Sequence, residues 1–157
     1  MAILTGSDFQ DGVIEVDIAG EPRKDAPEGS RGFVGIAFRV QPDNEHYECF
    51  YLRPTNGRTD DQLRRNHSVQ YVSEPDWPWE RLRKETPGVY ESYADLVSGE
   101  WTKVRIVVSG THAQLYVNGA EQPCLIVNDL KAGTSHGRIA LWIGDGTDAH
   151  FANLVVK

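Results

Sequence analysis

The stretch WTKVRIVVSGTHAQLYVNG, Trp101–Gly119, alternates apolar and polar residues with a period of two. Val104, Ile106 and Val108 fall on one side, and Leu115 and Val117 resume that side after the short SGTH segment, Ser109–His112. A period of two is the signature of a strand, whose successive side chains point to opposite faces. The short connection closes a tight hairpin, and Asn118-Gly119 is the strongest short turn dipeptide.

The same rhythm recurs to either side of this hairpin. Candidate strands are GVIEVDI (12–18), GFVGIAFRV (32–40), HYECFYLR (46–53), HSVQYV (67–72), WTKVRIVVS (101–109), AQLYV (113–117), CLIV (124–127), RIALWI (138–143) and AHFANLVV (149–156), with Gly, Pro, Asn and Asp clusters between them. Nine strands exceed a typical single sheet, so the pattern predicts an all-β, antiparallel two-sheet sandwich. Its expected core is Val34, Ile36, Phe38, Phe50, Leu52, Val104, Ile106, Val108, Leu115, Val117, Ile139, Leu141, Ile143 and Leu154. The one interruption is a long insertion, Glu74–Leu96, where Pro78 followed by Trp79–Glu85 predicts one or two helical turns. Its aromatic residues Trp77, Trp79, Tyr90 and Tyr93 are expected to form a lid over one face of the sandwich.

At 157 residues the chain fits a single domain, 1–157, that buries roughly 70% of its unfolded surface without a metal or disulfide. No apolar run is long enough to cross a bilayer. The start MAILTGSDFQ has neither a basic n-region nor an apolar h-region, so the chain as given carries no secretion signal and reads as soluble. A formal net charge of -7 argues against a nucleic-acid backbone or an anionic membrane as main partner, and leaves a carbohydrate or other small polar ligand. Cys49 and Cys124 each lie in a strand-like run and read as small buried hydrophobes. The sequon Asn66-His67-Ser68 matters only in a glycosylating secretory pathway.

Strand parity proposes a binding face. In the strand 32–40, Val34, Ile36, Phe38 and Val40 point one way and leave Phe33, Gly35, Ala37 and Arg39 on the other side, a groove floored by small residues. The next strands send Tyr47, Cys49, Tyr51 and Arg53, and later Trp142, the same way. Aromatic rings beside forked guanidinium donors suit a sugar, which has apolar C–H patches and a rim of hydroxyls. The polar segment Tyr51–Tyr71 is too long for a plain turn. It reads either as a self-paired network or as one wall of a cleft, with Arg53, Asn66, His67 and Gln70 as donors and acceptors. Five scattered histidines give no zinc-ligand spacing, so no metal or cofactor is expected. Asp145 and Asp148 in GDGTDAH could hold Ca²⁺, but a turn needing Gly and Asp explains them more simply.

The pieces GFVGIAFR, GEWTKVRIVVSGTHAQLYVNG and GRIALWIGDGTDAHFANLVV together resemble the concanavalin A-like lectin and glucanase superfamily. Within it they are similar to the domain family named for 3-keto-disaccharide hydrolases, also described as glycoside-hydrolase-family-sixteen-like. The resemblance implies a β-jelly-roll sandwich. It also implies sugar binding or glycoside chemistry, although the matching pieces are mainly structural. Endoglucanases of the superfamily carry a Glu-x-Asp-x-x-Glu motif or a one-residue-longer variant. The nearest match is EVDIAGE, with Glu15, Asp17 and Glu21, in the first strand instead of mid-chain, and it reads as a solvent-facing strand end.

The leading expectation is therefore a carbohydrate-binding jelly-roll domain. One alternative is a glycoside hydrolase acting on glycosides or keto-glycosides, with catalytic candidates among Glu48, Asp60, Asp61, Glu91 and His67. Another is a structural or protein-interaction sandwich whose aromatics are buried under the insertion.

Overall fold

The computed structural model describes all residues 1–157. In chain order the strands are β1 (Ala2–Ile3), β2 (Gly12–Pro22), β3 (Val34–Val40), β4 (Tyr47–Leu52), β5 (Val69–Glu74), β6 (Glu91–Ser92), β7 (Thr102–Ser109), β8 (His112–Val117), β9 (Leu125–Val127), β10 (Arg138–Ile143) and β11 (Thr147–Val156). Two short helices, α1 (Gln62–Arg65) and α2 (Trp79–Glu85), and a 3-10 turn at Pro54–Asn56 complete the elements. A six-stranded sheet runs β1-β10-β3-β4-β5-β6 and a five-stranded sheet β11-β2-β7-β8-β9, with every pairing antiparallel.

The alternation in Trp101–Gly119 produces the hairpin β7–β8, with Ile106 opposite Leu115 and Val104 opposite Val117. These apolar faces meet Ile14, Val16 and Ile18 of β2 and the inner face of the other sheet, where Val34, Ile36, Phe38, Phe50 and Tyr71 are buried. Eleven of the fourteen expected core residues are buried. Leu141 and Leu154 are only half-buried, and Ile143 is exposed. The reason is local: β1 pairs only with Ala140 and Leu141, leaving the end of β10 without an outer neighbour. In β11 a register shift, with Asn153 at φ 56, disturbs the alternation before Leu154.

The insertion does contain a helix at Trp79–Glu85. The sequence reading missed α1, which is held by the Asp61 side chain accepting from the N–H groups of Leu63 and Arg64. It also missed the two-residue strands β1 and β6, which are too short to show periodicity. No helix is long and apolar enough to cross a membrane.

Candidate functional site

The outer face of the six-stranded sheet carries one cross-strand row in register: Trp142, Gly35, Tyr51, Gln70 and Glu91. Gly35 explains how the aromatics meet. A Cβ there would fall 2.6 Å from the Tyr51 Cα, so the position has no side chain, and the rings on either side close over it. Tyr51 and Trp142 stack with centroids 4.7 Å apart and planes 21° from parallel. Phe33 meets Tyr51 edge-on at 6.1 Å, and the Trp142 Nε1–H donates to the Tyr47 hydroxyl at 3.3 Å. The next row, Ala140, Ala37, Cys49 and Val72, is small and fully buried. The small residues expected to floor an open groove are therefore buried, with the Tyr51–Trp142 stack closed beside Gly35.

Over this aromatic floor lies a cleft of 540 Å³, lined by Phe33, Tyr51, Trp142, Trp79 and Glu74 and by the segments 27–30 and 143–145. Burial pushes the Glu74 carboxyl above its ordinary range, and the neighbouring Glu80 carboxylate adds to the effect. A second compartment of 260 Å³ shares Gly29, Phe33 and Trp79 with the first, and is otherwise lined largely by Arg31, Arg53, Arg64, Arg83 and His67.

Arg53 organises the boundary between the two. Its Nη1 donates to the His67 carbonyl at 3.0 Å and to Glu91 at 3.4 Å, and its Nη2 to the Tyr51 hydroxyl at 3.1 Å and Gln70 Oε1 at 3.0 Å. Its guanidinium also lies 5.1 Å from the Tyr51 ring centroid. Burial lowers the Arg53 pKa, while Tyr51 and Glu91 act in the opposite direction. Glu91 is further gripped by Arg83 through both Nε and Nη2. The His67 Nε2 stands 3.7 Å from Glu91. Desolvation pulls the His67 pKa down, partly opposed by Glu91 and assisted by Arg83 and Arg53.

The fates of the expected site residues follow. Tyr51, Arg53, His67, Gln70 and Trp142 are brought together, though Gln70 and Arg53 are buried and bonded within the protein. Arg39 is not with them. A bulge between its pairings, with Arg39 at φ 53, breaks the strand alternation and turns the side chain away from the outer row. Only 1% exposed, it donates to the carbonyls of Gln10, Gly110 and Gly133 and to Asp11, clipping three loops together. Asn66 is exposed at the end of α1, accepting from Gln62.

The four lid aromatics do not act as one cover. Trp79 lines both compartments, with the Arg83 guanidinium 4.5 Å from its ring centroid. Trp77 lies 3.5 Å from the Arg81 guanidinium. Tyr90 joins the core against Tyr71 and donates to Asp129, and Tyr93 is exposed beside Arg65.

Among the catalytic candidates, Glu48 is buried against Tyr71 and the Ala132 N–H, Asp60 is exposed and Asp61 caps α1. Only Glu91 and His67 adjoin the cleft. Asp145 lines its rim, whereas Asp148 is paired opposite Glu21 in β11. No three His, Cys, Asp or Glu side chains converge as a metal would need. Both cysteines are free thiols. Arg31 and Arg83 went unread because nothing in their local sequence marks them. They reach the site from segments 52 residues apart in the chain.

A larger concavity of 660 Å³ lies on the five-stranded sheet. There Glu15 stands opposite Arg105 and Asp17 opposite Lys103 across β2–β7, so acids and bases alternate across the surface. Its one ring, Tyr116, already carries the Arg105 guanidinium at 4.0 Å. Glu15 and Asp17 thus belong to this opposite face, each with a cation across from it, while Glu21 lies outside the concavity opposite Asp148, and the six-stranded sheet offers the better site.

A family model described as 3-keto-alpha-glucoside-1,2-lyase-like domain matches residues 1–157. No curated protein matches the sequence. Among solved structures, the carbohydrate binding module CBM66 from Bacillus subtilis aligns with TM-score 0.65 at 15% identity, over 95% of this chain and 76% of that one. A protein from Parabacteroides distasonis, provisionally named a glycosyl hydrolase, aligns with TM-score 0.59 at 13% identity, over 97% and 73%. The Caenorhabditis elegans galectin LEC-6 gives 0.51 at 13% identity, over 97% and 91%. At these identities the likeness is one of fold, the concanavalin A-like jelly roll.

Proposed function

The chain belongs to the family of 3-keto-alpha-glucoside-1,2-lyase-like domains, and we propose that this member binds a saccharide in the cleft on its six-stranded sheet. The observation that carries the reading is the Tyr51–Trp142 stack flooring a 540 Å³ cleft that carries carboxylates at its rim and adjoins the guanidinium-lined compartment. An apolar ring surface packs against sugar C–H groups, and charged donors and acceptors at the rim take the hydroxyls. A sandwich serving only as a structural module, with its aromatics hidden under the insertion, fits less well. Trp142 stays half-buried and Trp79 is 37% exposed in an open cleft.

Glycan-array screening followed by calorimetry tests the reading with wild-type protein and Trp142→Ala. A saccharide bound by the wild type and lost about tenfold or more in the variant is expected, since aromatic contacts are worth about 0.5–1.5 kcal/mol beyond the area they bury. Absence of any binding by folded protein would refute it.

A second reading, cleavage of a glycoside or keto-glycoside, is favoured by one observation. The Glu74 carboxyl in the cleft has its pKa raised by desolvation and Glu80, a shift in the direction that suits a general acid protonating a leaving oxygen. Turnover of an aryl glycoside that Glu74→Gln abolishes while ligand binding persists is the expected result. Equal turnover by the variant would remove Glu74 from the chemistry.

A further inference from the structure

We propose that the second compartment selects saccharides bearing an oxyanion, a carboxylate or sulfate on the ring, which enters between Arg31, Arg64 and Arg83 while the sugar ring rests on the aromatic floor. The inference rests on the saccharide reading and adds the chemical class of the ligand. Four guanidiniums, Arg31, Arg53, Arg64 and Arg83, line this 260 Å³ space, and only one carboxylate, Glu91, pairs with any of them. Arg53 and Arg83 share that carboxylate, so the compartment retains excess positive charge.

Arg31 and Arg64 have only neutral partners. Arg31 Nη1 donates to the Ser30 carbonyl at 3.3 Å, while its Nε and Nη2 make no hydrogen bond to protein. Arg64 donates to Asn56 Oδ1 and to the Thr59 hydroxyl. The Arg31 pKa is lowered by desolvation and by the nearby Arg64 charge. Two like charges held close together without a counter-ion are stabilised by an anion placed between them, and planar forks match the geometry of carboxylate and sulfate.

The position of the compartment limits what it takes. Trp79 walls both spaces, so an anion among the guanidiniums lies next to whatever ring occupies the aromatic floor. The first compartment has the opposite character, with Glu74 and Glu80 among its lining. An uncharged ring with hydroxyls suits that end and a negative substituent suits the other. The site therefore has a polarity that orients the ligand.

The test uses the full chain and calorimetric titration with matched probes: neutral gluco-oligosaccharides, a gluco-oligosaccharide ending in one glucuronate, glucose 6-sulfate and inorganic sulfate. The acidic saccharides are expected to bind about tenfold more tightly than neutral ones. Arg31→Gln combined with Arg64→Gln is expected to erase that preference. Arg105→Gln on the opposite sheet, which removes the same type of charge far from the cleft, should retain it. The glucuronate-ended oligosaccharide and glucose 6-sulfate tell the two oxyanion classes apart. Binding of neutral saccharides alone, or a preference that survives the double variant, overturns the inference and leaves the saccharide reading in place. Binding of sulfate without any saccharide overturns both. A thermal melt of the double variant, expected within a few degrees of wild type, separates lost recognition from lost folding.

Discussion

Replacing Arg53 by Lys should destabilise the protein by about 3 kcal/mol, because the guanidinium is a buried tie between four partners. Its two terminal nitrogens reach the His67 carbonyl, Glu91, the Tyr51 hydroxyl and Gln70 Oε1 at 3.0–3.4 Å, with the residue 5% exposed. A single ammonium retains the charge and, in one position, part of this set. It cannot serve the Glu91 side and the Tyr51–Gln70 side together. Losing two charge-assisted hydrogen bonds at about 1.5–3 kcal/mol each, with some recovery through the retained charge, gives that figure. For a domain of this size it corresponds to a fall in Tm of about 6–12 °C. Thermal and urea melts of wild type, Arg53→Lys and Arg58→Lys measure it, with m unchanged. Arg58 is the control, because its pair with Asp95 is exposed, with side-chain exposures of 65% and 51%, and surface pairs contribute little. A shift for Arg53→Lys no larger than for Arg58→Lys would refute the reasoning and return Arg53 to the role of a free ligand donor.

Ile106→Ala should cost about 2–5 kcal/mol by opening a cavity between the sheets, read from urea melts, since Ile106 is wholly buried opposite Leu115. Gly35→Ala should lower Tm and also weaken saccharide binding, because the added Cβ meets the Phe50 carbonyl and the Tyr51 backbone and would spread the Tyr51–Trp142 stack. A variant with unchanged Tm and affinity would show that the stack does not depend on the missing side chain. Burial, opposed by hydrogen bonds from Tyr71 and Ala132 and by the Arg39 charge, raises the Glu48 pKa above its ordinary 4.5. The folded state therefore binds this proton more tightly than the unfolded state. Its contribution to stability is fully present below about pH 4.5 and declines as pH rises through the raised value. Melts at pH 4 and 7 should show Glu48→Gln gaining on wild type at the higher pH, and a constant difference would contradict this.

The sandwich could be read from the sequence because period-two alternation and turn residues act locally. Val104, Ile106, Leu115 and Val117 declare their face within a few residues, and the structure pairs them accordingly. Tyr51, Gln70 and Trp142 were placed together by the same parity, since one row across a sheet is decided by register. Arg39 failed for the converse reason. A bulge near the end of the strand, with Arg39 at φ 53, takes that side chain out of the alternation, and no residue type marks a bulge formed by an arginine. The separate destinations of the insertion's aromatics could not be read in advance, because irregular backbone has no parity. Their destinations depend on partners remote in sequence, such as Asp129 for Tyr90. The cationic compartment was illegible for the same reason, being assembled from Arg31, Arg53, Arg64 and Arg83 on four separate segments.

The net charge of -7 speaks to a long polyanion, which must lie along an extended surface and meet the acidic exterior, including Glu28, Glu80 and Asp145 at the cleft. It does not speak to a single anionic substituent. At physiological ionic strength charges are screened beyond about 8 Å, so such a group inside the second compartment responds to Arg31, Arg64 and Arg83, and distant carboxylates contribute little. Partial burial strengthens those contacts, because fewer waters compete for the guanidinium donors. The two scales favour different ligands: the exterior disfavours polymers of regular negative charge, while the compartment favours one oxyanion on an otherwise neutral sugar. A saccharide with a single acidic residue should therefore bind better than a uniformly charged chain of equal length. Raising salt should reduce that advantage by diminishing the attraction of the compartment. The opposite order, with the fully charged chain bound more tightly at every salt concentration, would mean that an extended basic surface governs binding.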